Sequence, residues 1–177
     1  MEVKGHENIP ASGPVIVVSN HISNWDPMVV GSSIKRQVNF IAKEELFKIP
    51  VVGWLLKAWG VTPVKRGRGD REAISKSLKF LRDQRVIGIF IEGTRNKQDP
   101  NRMQKPQPGA AMLALKSGAT VIPVVVVNTR KIFRSFTKVK VRIGKPLYFT
   151  EQPEVDKKEL YIQVSKQIAE AIEQLRS

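Results

Sequence analysis

The chain has 177 residues, 41% of them hydrophobic, which is enough apolar material for the core of one ordinary domain. With 30 Lys and Arg against 16 Asp and Glu, its formal net charge is +14, so its field favours anionic partners: nucleic acid, anionic lipid, phosphorylated metabolites or acidic carrier proteins. It contains no cysteine, which excludes thiol nucleophiles, disulfides and cysteine-ligated zinc. We therefore expect a single domain over residues 1–177.

Short apolar strands alternate with helices along the first half of the chain. Residues 15–18 are a β-branched run, which predicts a buried strand that leads into Ser19, Asn20 and His21. Asp26 followed by proline predicts a helix to about Ser33, with Asp26 as its N-cap. The next predicted elements are a strand over 38–42, two helical pieces within 43–60 separated at Pro50, a strand over 61–65, a helix from Asp70 and a strand over 86–91.

The second half continues this alternation. The predicted elements are a loop over 96–108, a helix over 109–117 stopped by Gly118, a buried strand over 121–127 and a final amphipathic helix over 156–175. Val139, Val141 and Ile143 alternate with basic residues, which is typical of an edge strand. This order of elements predicts an α/β fold in a single domain, with a central, mostly parallel sheet flanked by helices.

Candidate catalytic residues follow the first buried strand. Ligand sites in such folds lie where loops leave the carboxyl ends of strands. Histidine accepts a proton near neutral pH, and a carboxylate on its other ring nitrogen fixes the tautomer. His21 and Asp26 can therefore supply the base and its orienting group for acyl transfer to a hydroxyl. The alternative is structural, because a lone histidine is more often structural than catalytic and Asp26 is a good N-cap.

A second polar group, Glu92, Gly93, Thr94 and Arg95, comes directly after the strand over 86–91. Gly93 permits close backbone approach, Arg95 offers a fork of donors that matches phosphate oxygens, and Glu92 can accept from a glycerol hydroxyl. These features predict a phosphate site. The alternative is a turn with a surface Glu–Arg pair.

Five blocks along the chain resemble the signature blocks of one enzyme family. In chain order they are residues 20–26 (Asn-His-Ile-Ser-Asn-Trp-Asp), 40–46 (Phe-Ile-Ala-Lys-Glu-Glu-Leu), 60–66 (Gly-Val-Thr-Pro-Val-Lys-Arg), 90–95 (Phe-Ile-Glu-Gly-Thr-Arg) and 121–124 (Val-Ile-Pro-Val). They resemble those of the glycerolipid acyltransferases, the lysophosphatidic acid acyltransferases, which have a His-x4-Asp signature and a Phe-Pro-Glu-Gly-Thr-Arg block. Ile91 stands where that family commonly has proline.

The resemblance implies an O-acyltransferase that moves a fatty acyl group from an acyl-carrier-protein or acyl-CoA thioester to the free hydroxyl of 1-acylglycerol 3-phosphate, giving phosphatidic acid. It implies that His21 is the base, that Asp26 orients it, and that no acyl-enzyme intermediate, cofactor or metal is needed. The residues implied for the acceptor phosphate and glycerol are Lys43, Arg66, Glu92, Gly93, Thr94 and Arg95.

Two other functions stay open. One is an acyltransferase for a different acceptor, glycerol 3-phosphate or another lysophospholipid. The other is a basic nucleic-acid-binding domain, since phosphate neutralisation produces the same composition. The basic residues are dispersed and no recognised nucleic-acid motif is present, so we do not expect nucleic acid as a partner.

Contact with a membrane surface is expected from one aromatic segment. Phe47, Trp54 and Trp59 stand among aliphatic residues and lysines, a composition suited to the headgroup boundary. The segment is far too short to span a bilayer, which takes about 20 apolar residues. A second basic and aromatic patch covers 130–138. We expect a peripheral protein at the cytoplasmic face of an anionic membrane. The alternative for the first segment is ordinary core.

Overall fold

Strands and helices alternate along the computed structural model, which describes residues 1–64, 69–132 and 137–176, with the side chains of Lys43 and Asp70 outside the described part. The strands are β1 (Glu2–Lys4), β2 (Val15–Ser19), β3 (Val38–Lys43), β4 (Thr62–Val64), β5 (Val86–Phe90), β6 (Thr120–Val127) and β7 (Lys140–Ile143). The α-helices are α1 (Asp26–Ser32), α2 (Glu44–Phe47), α3 (Pro50–Ala58), α4 (Gly69–Arg82), α5 (Gly109–Ser117) and α6 (Lys157–Gln174). Two short 3-10 helices cover His6–Asn8 and Thr129–Lys131.

The strands form one seven-stranded sheet in the order β1-β7-β6-β2-β5-β3-β4. The five strands from β6 to β4 are parallel to one another, whereas β7 is antiparallel to β6 and β1 is parallel to β7. The predicted α/β fold with a mostly parallel sheet is therefore confirmed. β2 lies at the centre, where Ser19 is in register with Phe90 of β5 and Val124 of β6.

Helices cover both faces of the sheet. Residues of α4, α5 and α6 pack with Ile16 and Val18 of β2 in one apolar cluster. Val29 and Val30 of α1 pack with Val15 and Val17 in the other cluster. Successive strand residues point to opposite faces, so a strand covered on both sides must be apolar at every position. Each such buried Val or Ile stabilises the fold by about 1.5–3 kcal/mol relative to exposure.

Two local predictions are wrong. Asp26 is the first residue of α1, whose N-cap is Trp25, and its carboxylate accepts from the preceding loop rather than from the helix. The strand at 139–143 is not an edge strand, because β7 pairs with β6 on one side and β1 on the other. A three-residue strand such as β1 is too short to produce a recognisable pattern.

Candidate active site

The loops that carry His21 and Glu92 leave neighbouring parallel strands at the same edge of the sheet. The backbone N–H of Ile91 donates to the carbonyl of Ser19 at 3.0 Å, a bond that proline at this position cannot make. Beyond it, the N–H of His21 donates to Glu92 Oε1 at 2.8 Å, across 71 residues of sequence. The order of the strands thus joins two motifs that are far apart in the chain.

His21 and Asp26 are in direct contact. Nδ1 of His21 lies 2.8 Å from Oδ2 of Asp26, and the two side chains are 16% and 0% exposed. An ionised carboxylate can only accept hydrogen bonds, so in a neutral His21 the proton is on Nδ1 and the lone pair is on Nε2. This is the tautomer that a general base requires.

The carboxylate of Asp26 is compensated by several donors. Oδ2 also accepts from the N–H groups of Ile22 and Ser23, at 2.6 and 2.7 Å. Oδ1 accepts from the hydroxyl of Thr129 at 2.5 Å. A fully buried charge is costly unless hydrogen bonds replace its water, and here four donors do so.

The imidazole of His21 rests on an aromatic stack. The ring of Phe90 lies 4.0 Å from it at an interplanar angle of 15°. Phe40 continues the stack at 5.6 Å from Phe90. Gly88 makes room for it, because a Cβ there would lie 2.2 Å from Phe40 Cε1. The stack restricts rotation of the imidazole.

Glu92 connects loops instead of facing solvent. It is 3% exposed, and while Oε1 accepts from His21, Oε2 accepts from the N–H of Gln104 at 3.0 Å. The carbonyl of His21 in turn accepts from the N–H of Asn96 at 2.7 Å. The alternative of a surface Glu–Arg pair is therefore wrong, while the contact of Glu92 with a glycerol hydroxyl stays a prediction.

Gly93, Thr94 and Arg95 are exposed beside this network. Gly93 has φ +67°, in the left-handed region that favours glycine. The side chain of Arg95 has no hydrogen bond or ion pair within the part of the chain that the structure describes, so its guanidinium is available to a ligand. Of the other residues predicted at the phosphate, Lys43 ends β3 with its side chain outside the described part, and Arg66 lies outside the described residues.

Sequence reasoning missed the roles of Asn20, Thr129 and Arg130. Asn20 is fully buried and exchanges two hydrogen bonds with the backbone of Val126, at 3.0 and 2.8 Å, which ties the end of β2 to β6. Thr129 and Arg130 follow the end of β6. The rule that selected His21 and Glu92, a polar residue after the carboxyl end of a buried strand, would also have selected them.

The predicted membrane segment is divided by the structure. Trp54 is 68% exposed, and the apolar residues exposed around it are Leu46, Ile49, Val51 and Val52. Phe47 and Trp59 are instead partly buried against the core. Residues 133–136 of the second predicted patch lie outside the described residues. Across the described ranges, no helix has both the length and the apolarity needed to cross a bilayer.

An imidazole held by a carboxylate, on a loop that is hydrogen-bonded to the loop of Arg95, is compatible with an enzyme that deprotonates a hydroxyl of an anionic substrate. The protein-family model described as Acyltransferase matches residues 1–127, which include both motifs. The chain belongs to this acyltransferase family.

Three similar proteins have closely related names. The 1-acyl-sn-glycerol-3-phosphate acyltransferase of Borreliella burgdorferi is 33% identical over an aligned length of 183 residues. The alignment covers 98% of this chain and 72% of that protein. The chloroplastic 1-acyl-sn-glycerol-3-phosphate acyltransferase BAT2 of Brassica napus is 32% identical over 83% of this chain and 45% of that protein. The crystal structure of the 1-acyl-sn-glycerophosphate (LPA) acyltransferase PlsC from Thermotoga maritima has a TM-score of 0.70 and 30% identity, over 99% of this chain and 72% of that one. The predicted family is confirmed.

Proposed function

We propose that this protein transfers a fatty acyl group from a thioester to the free hydroxyl of 1-acylglycerol 3-phosphate, which yields phosphatidic acid. The observation that carries the proposal is the contact between His21 Nδ1 and the buried Asp26 carboxylate at 2.8 Å, which leaves Nε2 as a base. The names of the similar proteins support this acceptor.

His21 and Asp26 supply the acid–base chemistry of the proposed step. Nε2 of His21 takes the proton of the acceptor hydroxyl while the hydroxyl oxygen attacks the thioester carbonyl. The tetrahedral intermediate collapses with cleavage of the carbon–sulfur bond, and the departing thiolate takes the proton from the imidazolium. The new bond is a carbon–oxygen ester. The carboxylate of Asp26 stabilises the imidazolium between the two proton transfers.

Arg95 is the described residue best suited to the acceptor phosphate. Its guanidinium is exposed, and it precedes Asn96, whose N–H bonds the carbonyl of His21. A substrate phosphate on Arg95 would therefore lie close to the base, with a bidentate, charge-assisted contact. Lys43 and Arg66 are proposed to add cations at this phosphate. Acyl carrier protein and acyl-CoA are both anionic, so the net charge of +14 supports either donor.

The exposed apolar surface of α2 and α3 is proposed to contact an anionic membrane at its cytoplasmic face. Trp54 and its neighbours supply an aromatic and aliphatic face, and Lys48 and Lys57 are exposed beside it. Each cation near an anionic leaflet contributes about 1 kcal/mol, so a few are enough for reversible binding. This docking would give a protein without a described spanning helix access to a lipid acceptor.

The test supplies acyl-carrier-protein and CoA thioesters with 1-acylglycerol 3-phosphate, glycerol 3-phosphate or lysophosphatidylcholine, and identifies products by mass spectrometry. We expect phosphatidic acid from the first acceptor, and loss of more than about 99% of it in His21→Ala, on the scale of general acid–base catalysis. His6→Ala is the matched control, because the chain has two histidines and His6 is exposed. Product formation by His21→Ala at more than about 1% of the wild-type rate, or nucleic-acid binding without thioester consumption, would overturn the proposal.

A further inference from the structure

A third loop reaches the active site from the end of β6. It contains Thr129, which is 0% exposed, and Arg130, on the 3-10 helix Thr129–Lys131. The Thr129 side chain bonds to Asp26 at the start of α1, 103 residues away in sequence. The Arg130 side chain bonds to the loops that carry His21 and Arg95, and its partner Ile22 is 108 residues away. Neither the block over 20–26 nor the block over 90–95 contains Thr129 or Arg130.

Thr129 holds one oxygen of the Asp26 carboxylate. The other donors, His21 Nδ1 and the N–H groups of Ile22 and Ser23, all contact Oδ2. Thr129 is the donor on Oδ1. Hydrogen bonds on a single oxygen leave a carboxylate able to turn about its Cβ–Cγ bond, whereas a donor on the second oxygen fixes its plane.

Arg130 connects the loop of His21 with the loop of Arg95. Its Nε donates to the carbonyl of Ile22 at 2.9 Å, and its Nη2 donates to the carbonyl of Asn96. The N–H of Asn96 donates to the carbonyl of His21. These three hydrogen bonds close a ring through both loops. A rigid guanidinium can place two N–H groups on two separate carbonyls, which the single ammonium of lysine does less well.

We infer that Thr129 and Arg130 are positioning residues of this active site. Thr129 fixes the carboxylate plane that orients His21, and Arg130 sets the distance between the base and the phosphate-binding arginine. This role rests on the proposed function, but its structural part can be tested without substrate.

The first experiment replaces the hydroxyl of Thr129. Thr129→Val is expected to lower kcat by about tenfold, the factor that corresponds to about 1.4 kcal/mol and to one net hydrogen bond, with acceptor KM unchanged. Thr129→Ser keeps the hydroxyl and should restore kcat. Thr120→Val is the matched control, since Thr120 begins β6, the strand that leads to Thr129, and its side chain has no hydrogen bond to another described residue. Equal losses in the valine and serine variants, or none in either, would overturn the role.

The second readout is the Nδ1–H proton of His21 in NMR spectra of the substrate-free protein. The chain has two histidines, and because the imidazole N–H of exposed His6 exchanges rapidly with water, a persistent Nδ1–H signal belongs to His21. We expect the signal of His21 to weaken in Thr129→Val and to persist in Thr129→Ser. An unchanged signal in Thr129→Val refutes the positioning of Asp26. Because this measurement needs no turnover, it separates failure of the inference from failure of the proposed function.

The third experiment separates geometry from charge at Arg130. Arg130→Lys keeps the charge but not the fork, and we expect kcat to fall and acceptor KM to rise, together by about tenfold in kcat/KM. Lys131→Met removes a cation from the neighbouring exposed position and should change neither. A loss in Lys131→Met with none in Arg130→Lys would show that charge alone matters and would refute the inference.

Discussion

Replacing Asp26 by asparagine removes a buried negative charge without changing the size of the side chain. The amide oxygen can accept the hydrogen bonds that Ile22 and Ser23 donate to Oδ2. The amide nitrogen can donate to Thr129, whose hydroxyl then turns to accept. Both backbone donors of the loop keep an acceptor, so the loop geometry is expected to survive.

The cost in stability follows from the hydrogen bonds. Bonds to a charged group contribute about 1.5–3 kcal/mol, against about 0.5–1.5 for neutral ones, so the two backbone bonds lose roughly 2 kcal/mol between them. Removing the buried charge also removes its desolvation penalty, which offsets part of this loss. A net loss of about 1–2 kcal/mol lowers the thermal midpoint of a domain of this size by roughly 2–8 °C.

The cost in catalysis is expected to be much larger. In the proposed mechanism an imidazolium forms when His21 takes the substrate proton, and a neutral amide cannot stabilise it. In the serine-protease triad, which is the worked case for this effect, loss of the corresponding charge lowers turnover by about 10⁴-fold. We expect a fall in kcat of about 10²-fold or more for Asp26→Asn.

The assay compares the thermal midpoint and the initial rate at saturating substrates, measured at least 15 °C below the midpoint of each variant. Asp83→Asn is the matched control, because Asp83 is exposed. Asp26→Ala is a poor substitute: it leaves two N–H groups and a hydroxyl unsatisfied at about 1–3 kcal/mol each, a large share of a typical total stability of about 5–15 kcal/mol. A kcat of Asp26→Asn within a few fold of wild type would refute the assigned role of the charge.

Two further predictions test the phosphate site and the membrane surface. Arg95→Ala should raise acceptor KM by about 10- to 100-fold, because bonds to a charged group are lost, and should leave thioester KM unchanged. Arg102→Ala is the control, since Arg102 is exposed in the same loop. A rise in thioester KM alone would contradict the assignment. Trp54→Ser should weaken binding to anionic vesicles by about tenfold at an unchanged thermal midpoint, whereas Trp59→Ser should lower the midpoint, because Trp59 packs against the core. Unchanged vesicle binding by Trp54→Ser would exclude this surface.

Local pattern was sufficient for most elements of the fold. The apolar run of β2 predicted a strand buried on both faces, Pro50 predicted the break between α2 and α3, and the apolar positions of α6 predicted its core face. Such patterns are confined to short windows of sequence and reflect the periods of 2 and 3.6 residues. The blocks around His21 and Glu92 carried the resemblance to the family in the same local way.

What short windows do not contain is the order of strands in space. β5 lies between β2 and β3, although β3 follows β2 in the chain, and this order brings Glu92 to the N–H of His21. The same limit explains the error at Asp26. Asp-Pro is a good helix start by local chemistry, but Thr129 and the N–H groups of the preceding loop provide the carboxylate with other donors.

Trp54 and Trp59 illustrate what the sequence determines and what packing decides. The aromatic composition grouped Trp54 with Trp59, but at 3.6 residues per turn positions five apart on a helix point about 140° away from each other. Which of the two faces the core depends on how α3 packs on the sheet. The sequence by itself therefore determined most of the elements, their apolar faces and the choice of His21 and Asp26 as candidate residues. Only the tertiary structure decided which loops meet, because those contacts join residues that are about 70 to 110 positions apart, as the pairs His21–Glu92 and Ile22–Arg130 illustrate.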